Sequence, residues 1–287
     1  MIPLKDNIPT SRFPILTVVL IVANIAVFIW QLTFPDDQYA SPELRQLGIP
    51  ERDENAIEYG AIPYRLLHPG KGCAVGAVPR EGKVARVDVV CEGTEDYDEA
   101  EGHPGGAPFV ELDEPPWWET VFTSMFMHGG ILHLAGNMLF LWVFGNNIED
   151  SMGRLRFLLF YVLAGIAAVY AQSLLEPNST LPTIGASGAV AGVLGGYILL
   201  HPRARVLTMI IIVFFFTFIE IPALIMLGIW FVLQAIPAVG GLAVPDIAGG
   251  GGIAYLAHVG GFIFGLATIK LWANRHRAGE STTSPAY

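Results

Sequence analysis

Apolar residues gather along this chain in blocks of bilayer length rather than in the short stripes of a soluble domain. About 20 helical residues cross a hydrocarbon core of about 30 Å. Six stretches approach that length: Phe13 to Phe34, Phe122 to Phe144, Leu155 to Leu175, Gly185 to Leu200, Pro222 to Pro237 and Ile253 to Ala273. The pattern predicts an all-α polytopic membrane protein, a six-transmembrane-helix bundle with a long outer first loop. The first block is too long for the apolar region of a signal peptide, and no small-x-small cleavage site follows before Pro35. It is expected to be a signal-anchor helix.

The stretch from Arg205 to Pro237 is too long for one span and is interrupted by Glu220 and Pro222. Proline suits the first turn of a helix and not its interior. The fifth span is therefore expected to start at Pro222, with Val206 to Ile219 as an interfacial or re-entrant segment. Glu220 then lies near a helix N-terminus at the inner interface, where a carboxylate is favoured. If the helix is instead continuous, Glu220 is buried mid-membrane and becomes a functional suspect.

Composition agrees with the pattern. The 287 residues are 53% hydrophobic and 15% charged, with a mean hydropathy of +0.50, against about 25% charged in ordinary soluble domains. The net charge of −10 excludes a general attraction to nucleic acid. That charge is concentrated: residues 35–120 hold seven bases and nineteen acids, a net −12, which leaves the rest near +2. The other nine bases are Lys5, Arg12, Arg154, Arg156, Arg203, Arg205, Lys270, Arg275 and Arg277, and six spans place all of them on one side. The loops around 176–184 and 238–252 contain no Lys or Arg. By the positive-inside rule both termini are cytoplasmic, N-in and C-in, and the plasma membrane is the expected location. The organisation is then a cytoplasmic N-terminus (1–12), a first transmembrane helix (13–34), an acidic extracytoplasmic loop (35–120), a five-span core (121–273) and a cytoplasmic tail (274–287).

The two cysteines, Cys73 and Cys91, both fall in the outer loop. In an oxidising compartment such a pair most simply forms a disulfide. A zinc site of His68, Cys73, Cys91 and His103 is the alternative, but its spacings match no compact ligand pattern.

Polar side chains inside spans are costly and single themselves out. His133 and Asn137 are spaced i, i+4 and share a helix face; alone, they are as readily interhelical glue as chemistry. His128 lies five residues earlier, about 140° round a continuous helix, and is expected to pack near the outer interface. In the fourth span Gly188, Gly192 and Gly196 form a small-xxx-small stripe beside Ser187. This span is short, about 24 Å at about 1.5 Å per residue, so its N-terminus is expected below the outer surface. Irregular backbone at that depth requires a cavity, which puts Ser187 at the floor of a small aqueous pocket. In the sixth span His258, Gly261 and Gly265 form one stripe, as a close partner of the fourth helix requires. Together these residues supply a nucleophile (Ser187), a general base (His258) and oxyanion donors (Asn137, His133 and the Ser187 backbone N–H) at a helix N-terminus. No carboxylate lies near His258 in its span, so this is a dyad.

These residues resemble the rhomboid intramembrane serine proteases. The likeness rests on His133-x-x-x-Asn137, on Gly185-Ala186-Ser187-Gly188, and on Ala257-His258 followed by Gly261-x-x-x-Gly265. It covers residues 120–273 plus the first span. The resemblance implies an endopeptidase that cleaves single-span membrane proteins near small residues at the outer face, with Ser187 as nucleophile, His258 as base and His133 with Asn137 in the oxyanion site. It implies packing roles for Gly185, Gly188, Gly192, Gly261 and Gly265. It also makes the fifth span and the loop Ala248 to Gly252 a gate and cap, and Glu149 a structural loop glutamate. The aromatic often found four residues after the serine is Ala191 here, so the resemblance supplies no side chain to pack on the histidine. The alternatives are a catalytically silent relative that binds membrane helices and a transporter with a polar path, the latter disfavoured because no internal repeat is visible. No HExxH and no intramembrane aspartate pair is present, which disfavours metal-dependent and aspartyl proteolysis. No cofactor, metal, nucleotide or nucleic acid is expected; the partners are substrate helices and the lipid bilayer.

Overall fold

The computed structural model describes residues 2–34, 37–80, 83–102, 108–212, 215–243 and 254–273. The loop Ala248 to Gly252, His103, Arg275, Arg277 and the tail 274–287 lie outside the described residues. The chain starts with strand β1 (Ile2–Asp6) and helix α1 (Ile15–Gln31). The acidic segment then builds α2 (Pro42–Leu47), α3 (Glu51–Glu58), α4 (Pro63–Leu67), β2 (Cys73–Arg80), β3 (Lys83–Cys91), α5 (Glu95–Glu101) and β4 (Phe109–Glu111).

These outer elements carry ordinary local signals. Ser41 Oγ accepts the Leu44 N–H ahead of Pro42 at the start of α2, and Gly48, at φ 71°, ends the helix. Thr94 caps α5 through the Tyr97 N–H. β2 and β3 pair antiparallel with Cys73 opposite Cys91, β4 joins the free edge of β2, and Tyr97 and Ala100 of α5 pack with Ala74, Val78 and Val90 of the sheet. Cys73 and Cys91 are joined by a disulfide.

The core follows. α6 (Trp117–Thr123) precedes an irregular stretch, and α7 (Ile131–Phe140) runs through a π-helical turn (Leu141–Gly145) into α8 (Asn146–Met152). Then come α9 (Arg154–Leu175), α10 (Ser187–Leu200), strands β5 (Arg205–Ile212) and β6 (Phe215–Pro222), α11 (Ala223–Ala243) and α12 (Tyr255–Trp272). Among the described residues four helical stretches are long and apolar enough to cross a membrane: Ile131–Met152, Arg154–Leu175, Ala223–Gly240 and Tyr255–Trp272. α1 and α10 are apolar but shorter, at 17 and 14 residues.

Three expectations are corrected. The chain is mostly helical but not all-α, because the described residues form two three-stranded sheets, β3-β2-β4 and β1-β5-β6. The second span does not begin at Phe122: the chain leaves α6 after Thr123 and becomes helical again only at Ile131, with Gly129 and Gly130 in the break. In the segment Val206 to Ile219 the described residues belong to the antiparallel strands β5 and β6, as their β-branched and aromatic side chains favour. Glu220 sits on β6 opposite Leu207, exposed, 3.5 Å from the Arg205 guanidinium. It neither caps a helix nor lies buried, and α11 starts one residue after Pro222.

The expected inner-side elements meet at one end. Ser11 bonds Asp150, β1 pairs with β5, Asp6 accepts from Asn147 and Tyr197, and Arg156 donates to the Trp272 carbonyl. Glu149, 4% exposed, accepts from the backbone N–H groups of Leu16 (3.1 Å) and Thr17 (2.8 Å) and from the Thr17 hydroxyl. These are first-turn N–H groups of α1, which have no partner within the helix, so Glu149 acts as that helix's N-terminal cap.

α10 is the centre of the bundle: every residue from Gly188 to Ile198 is buried. Glycine makes this possible, because a Cβ built on Gly188 would stand 2.5 Å from the Ala168 Cβ of α9. On its other side, a Cβ on Gly261 of α12 would lie 3.0 Å from the Gly188 carbonyl carbon. The helices touch backbone to backbone, with Phe144, Phe157, Phe160, Tyr161 and Tyr197 filling the space around them.

Candidate active site

At one end of this contact Ser187 is the first residue of α10 and His258 lies in the first turn of α12. The Ser187 hydroxyl donates to His258 Nε2 at 2.7 Å. Their separation of 71 positions in sequence is bridged by the close α10–α12 packing, which lets the two side chains meet. Ser187 is half-buried beside a cavity of about 10 Å³ lined by Ser124, Met125, Thr183, Gly185 and Ala257 among others. That volume is at the lower limit for one water molecule.

The backbone ahead of Ser187 is fixed from both sides. Gly185, at φ 117°, donates its N–H to the Ser124 carbonyl at 2.8 Å. The loop before it is strapped to the acidic segment: Ala61 and Thr183 exchange backbone hydrogen bonds at 3.0 and 2.8 Å, and the Tyr64 N–H donates to the Ser179 carbonyl at 3.0 Å. The Thr123 hydroxyl ties the same strap to α6 through the Tyr59 carbonyl. The acidic segment therefore helps to hold the loop that presents the serine.

His133 and Asn137 come to this point from α7. A Cβ on Gly185 would lie 2.7 Å from His133 Cε1 and 3.6 Å from Asn137 Nδ2, so only glycine lets the two approach the serine loop. Asn137 is oriented by His128, for which only a packing role is expected from sequence. His128 is not on the helix of His133, and the expected angle between them does not apply. It sits buried in the irregular stretch, donates from Nδ1 to the Phe126 carbonyl at 3.0 Å and accepts from Asn137 Nδ2 at Nε2, also 3.0 Å. Gln31 of α1 pairs with the His128 backbone N–H and carbonyl together. One Asn137 N–H is occupied by His128, and the same nitrogen lies beside Gly185.

The histidine has supports that sequence did not show. Gln172 of α9 accepts the Ala257 N–H at 3.1 Å and so holds the start of α12. Gln234 of α11 accepts from His258 Nδ1 at 2.7 Å. Trp230, one turn earlier, packs on the imidazole with centroids 6.1 Å apart, which meets the packing need left open by Ala191. A polar Gln in an apolar span was the available signal. Gly188, Gly192, Gly261 and Gly265 line the helix contact, and Glu149 lies at the far end of the bundle. Among the described residues no group of His, Cys, Asp or Glu is arranged to hold a metal.

Fold and site together define a helical membrane protein with a serine–histidine pair set between two glycine-packed helices, facing amide and imidazole donors. The Rhomboid domain model matches residues 115–275. That is more than half of the chain, which belongs to the rhomboid family. It is 43% identical over 89 residues to Rhomboid protease GluP of Bacillus subtilis (strain 168), covering 30% of this chain and 17% of that protein. It is 32% identical over 96 residues to Inactive rhomboid protein 1 of Drosophila melanogaster, covering 33% and 7%. Over 159 residues it is 28% identical to the mitochondrial presenilin-associated rhomboid-like protein of Bos taurus, covering 53% and 39%. In each case the chain spans well under half of the relative's length.

Proposed function

We propose that this integral membrane protein is an intramembrane serine endopeptidase with Ser187 as nucleophile and His258 as general base. The observation that carries the proposal is the 2.7 Å hydrogen bond from Ser187 Oγ to His258 Nε2, in a site where the residues around Gly185 leave donors free. As Oγ bonds to the scissile carbonyl carbon, its proton passes to His258 Nε2. The carbonyl oxygen takes up the electron pair and is met by Asn137 Nδ2, His133 and the Ser187 backbone N–H. That N–H has no intrahelical partner because Ser187 opens α10, and the helix N-terminus adds partial positive charge. Collapse breaks the C–N bond, and His258 returns the proton to the leaving amine. A water then attacks the acyl carbon, with His258 again taking the proton; collapse breaks the bond from that carbon to Ser187 Oγ, His258 returns the proton to Oγ, and the new carboxyl terminus leaves.

In this proposal α1, α7 with α8, α9, α10, α11 and α12 are the six spans. The termini are cytoplasmic, residues 35–120 form an outer loop, residues 121–273 the catalytic core, and the plasma membrane is the location. The meeting of the basic inner-side elements at one end of the bundle supports that sidedness. Substrates are single-span membrane proteins cut near the outer face.

The similarity to a relative named inactive makes a silent helix-binding protein the second reading; the intact Ser187–His258 pair favours the first. Comparative membrane proteomics of cells carrying the parent or Ser187→Ala separates the two. Ectodomains released only by the parent are expected, and identical released fractions would support the silent reading.

A further inference from the structure

The mechanism above uses a histidine whose second nitrogen is engaged by another helix. We propose that Gln234 of α11 is the positioning residue of this site, fixing His258 in the tautomer that presents a bare Nε2 to Ser187. The inference rests on the protease reading for its catalytic meaning but on geometry for its substance. An amide oxygen only accepts, so the 2.7 Å contact of Gln234 Oε1 with Nδ1 places the ring proton there. Nε2 is then a lone pair, and it faces Ser187 Oγ at 2.7 Å. The chain Ser187–His258–Gln234 has the connectivity of a serine triad with a neutral third member. Trp230 stacks beside the same ring and Phe231 packs on Phe262 one turn below it, so α11 defines both the orientation and one wall of the imidazole's seat.

Two further observations sharpen the role. Among the described residues no carboxylate contacts His258: the ionisable side chains that face it are His133 from α7 and Tyr255 on its own helix, while α10 presents Ser187 and α11 presents Gln234 and Trp230. Gln234 is thus the orienting group that the dyad lacked in sequence. α11 is also anchored unevenly. Ala223, Met226 and Leu227 are buried at its base, whereas Ala238 is the one buried residue among the described side chains beyond Gly228. The upper half reaches the bundle mainly through Trp230, Phe231 and Gln234, so the serine's base is set correctly only while that half is docked.

The test uses the full chain in detergent or nanodiscs with three variants: Gln234→Leu, Gln234→Glu and Ser187→Ala. Leucine is apolar in an apolar helix whose base stays anchored, so the fold is retained. Nitrogen NMR of isotope-labelled histidine reads the tautomer directly and needs no activity. The proposal expects His258 protonated at Nδ1 in the parent and redistributed in Gln234→Leu. Labelling by a fluorophosphonate at Ser187 is expected to slow by roughly 10- to 100-fold in Gln234→Leu, within what general-base assistance is worth. Gln234→Glu keeps an acceptor and should retain labelling to within severalfold. Its carboxylate also stabilises the imidazolium, so the acid limb of its labelling profile should move to higher pH. The proposal is overturned by an Nε2-protonated parent, by an unchanged tautomer in Gln234→Leu, by leucine-variant labelling within about twofold of the parent, or by no shift of the limb in Gln234→Glu. If the parent does not label at Ser187 yet the tautomer moves as expected, the protease reading fails and the positioning role stands.

Discussion

Replacing Gly265 with alanine probes how the serine–histidine distance is set. A Cβ at this position would stand 2.7 Å from the Gly192 carbonyl carbon and 2.9 Å from Gly192 Cα, with the carbonyl oxygen closer still. Ordinary contacts begin near 3.4 Å, and all the obstructing atoms are backbone, so α12 must withdraw from α10 by at least about 0.7 Å. His258 lies seven residues along the same helix, about 10 Å away, and moves with it. A Ser187–His258 hydrogen bond of 2.7 Å that lengthens by that amount reaches the limit of hydrogen-bond geometry. Misplacement of reacting groups by about 1 Å costs on the order of 100-fold in rate. Overpacking costs roughly 1–3 kcal/mol, offset by at most about 1 kcal/mol from the better helix propensity of alanine. Gly265→Ala should therefore lower fluorophosphonate labelling by roughly 30- to 100-fold and lower the unfolding temperature in detergent. Gly228→Ala, where a Cβ meets nothing within 4 Å, should leave both unchanged or raise stability. Labelling of Gly265→Ala within about threefold of the parent would refute the claim that this backbone contact sets the catalytic distance.

Other consequences are as direct. Gly185→Ala forces a side chain onto a φ of 117° and against His133; labelling should fall at least about 10-fold with little change in secondary structure, and parent-like labelling would refute the role given to this glycine. Glu149→Ala removes the acceptor of three hydrogen bonds at the start of α1 and should destabilise the protein by on the order of 3 kcal/mol, measured by unfolding in detergent; a loss below about 1 kcal/mol would show that α1 is capped otherwise. Glu58, which precedes the Tyr59–Ala61 strap, has its carboxyl pushed up to about 7 by burial and then by the neighbouring Glu54, Asp113 and Glu114. A carboxyl whose folded pKa is raised holds its proton more tightly folded than unfolded. Stability is therefore lost as pH rises from about 4.5 to about 7, by on the order of 1 kcal/mol once solvent screening of a half-exposed group is allowed for. Unfolding temperatures at pH 5 and pH 8 should differ more in the parent than in Glu58→Gln, and equal differences would contradict this.

Much of the site was legible because its residues are costly where they stand. Ser187, His258, His133 and Asn137 drew attention as polar groups in apolar stretches, and the glycine stripes implied which helices touch. What escaped depended on backbone geometry that hydropathy does not encode. His128 was judged on a continuous helix, but the break between Thr123 and Ile131 carries it under Asn137 instead. The hairpin of residues 205–222 was judged by hydrophobicity alone, although its Ile, Val and Phe content carries a strand signal. Gln234 has no partner within its own helix, and its role exists only through the packing of α11 on α12. The outer sheet was missed because Pro79, Gly76 and the acids obscure the alternation of β2 and β3, which the Cys73–Cys91 register nevertheless pins.

The central claim is that Ser187 is a nucleophile activated by His258. The most direct measurement is the mass of the purified protein after reaction with a fluorophosphonate, followed by peptide mapping, across pH 5 to 8. The account predicts a single covalent adduct on Ser187, abolished in Ser187→Ala, strongly reduced in His258→Ala, and formed more slowly as pH falls and the base is protonated. No adduct, or an adduct elsewhere that survives Ser187→Ala, would contradict it.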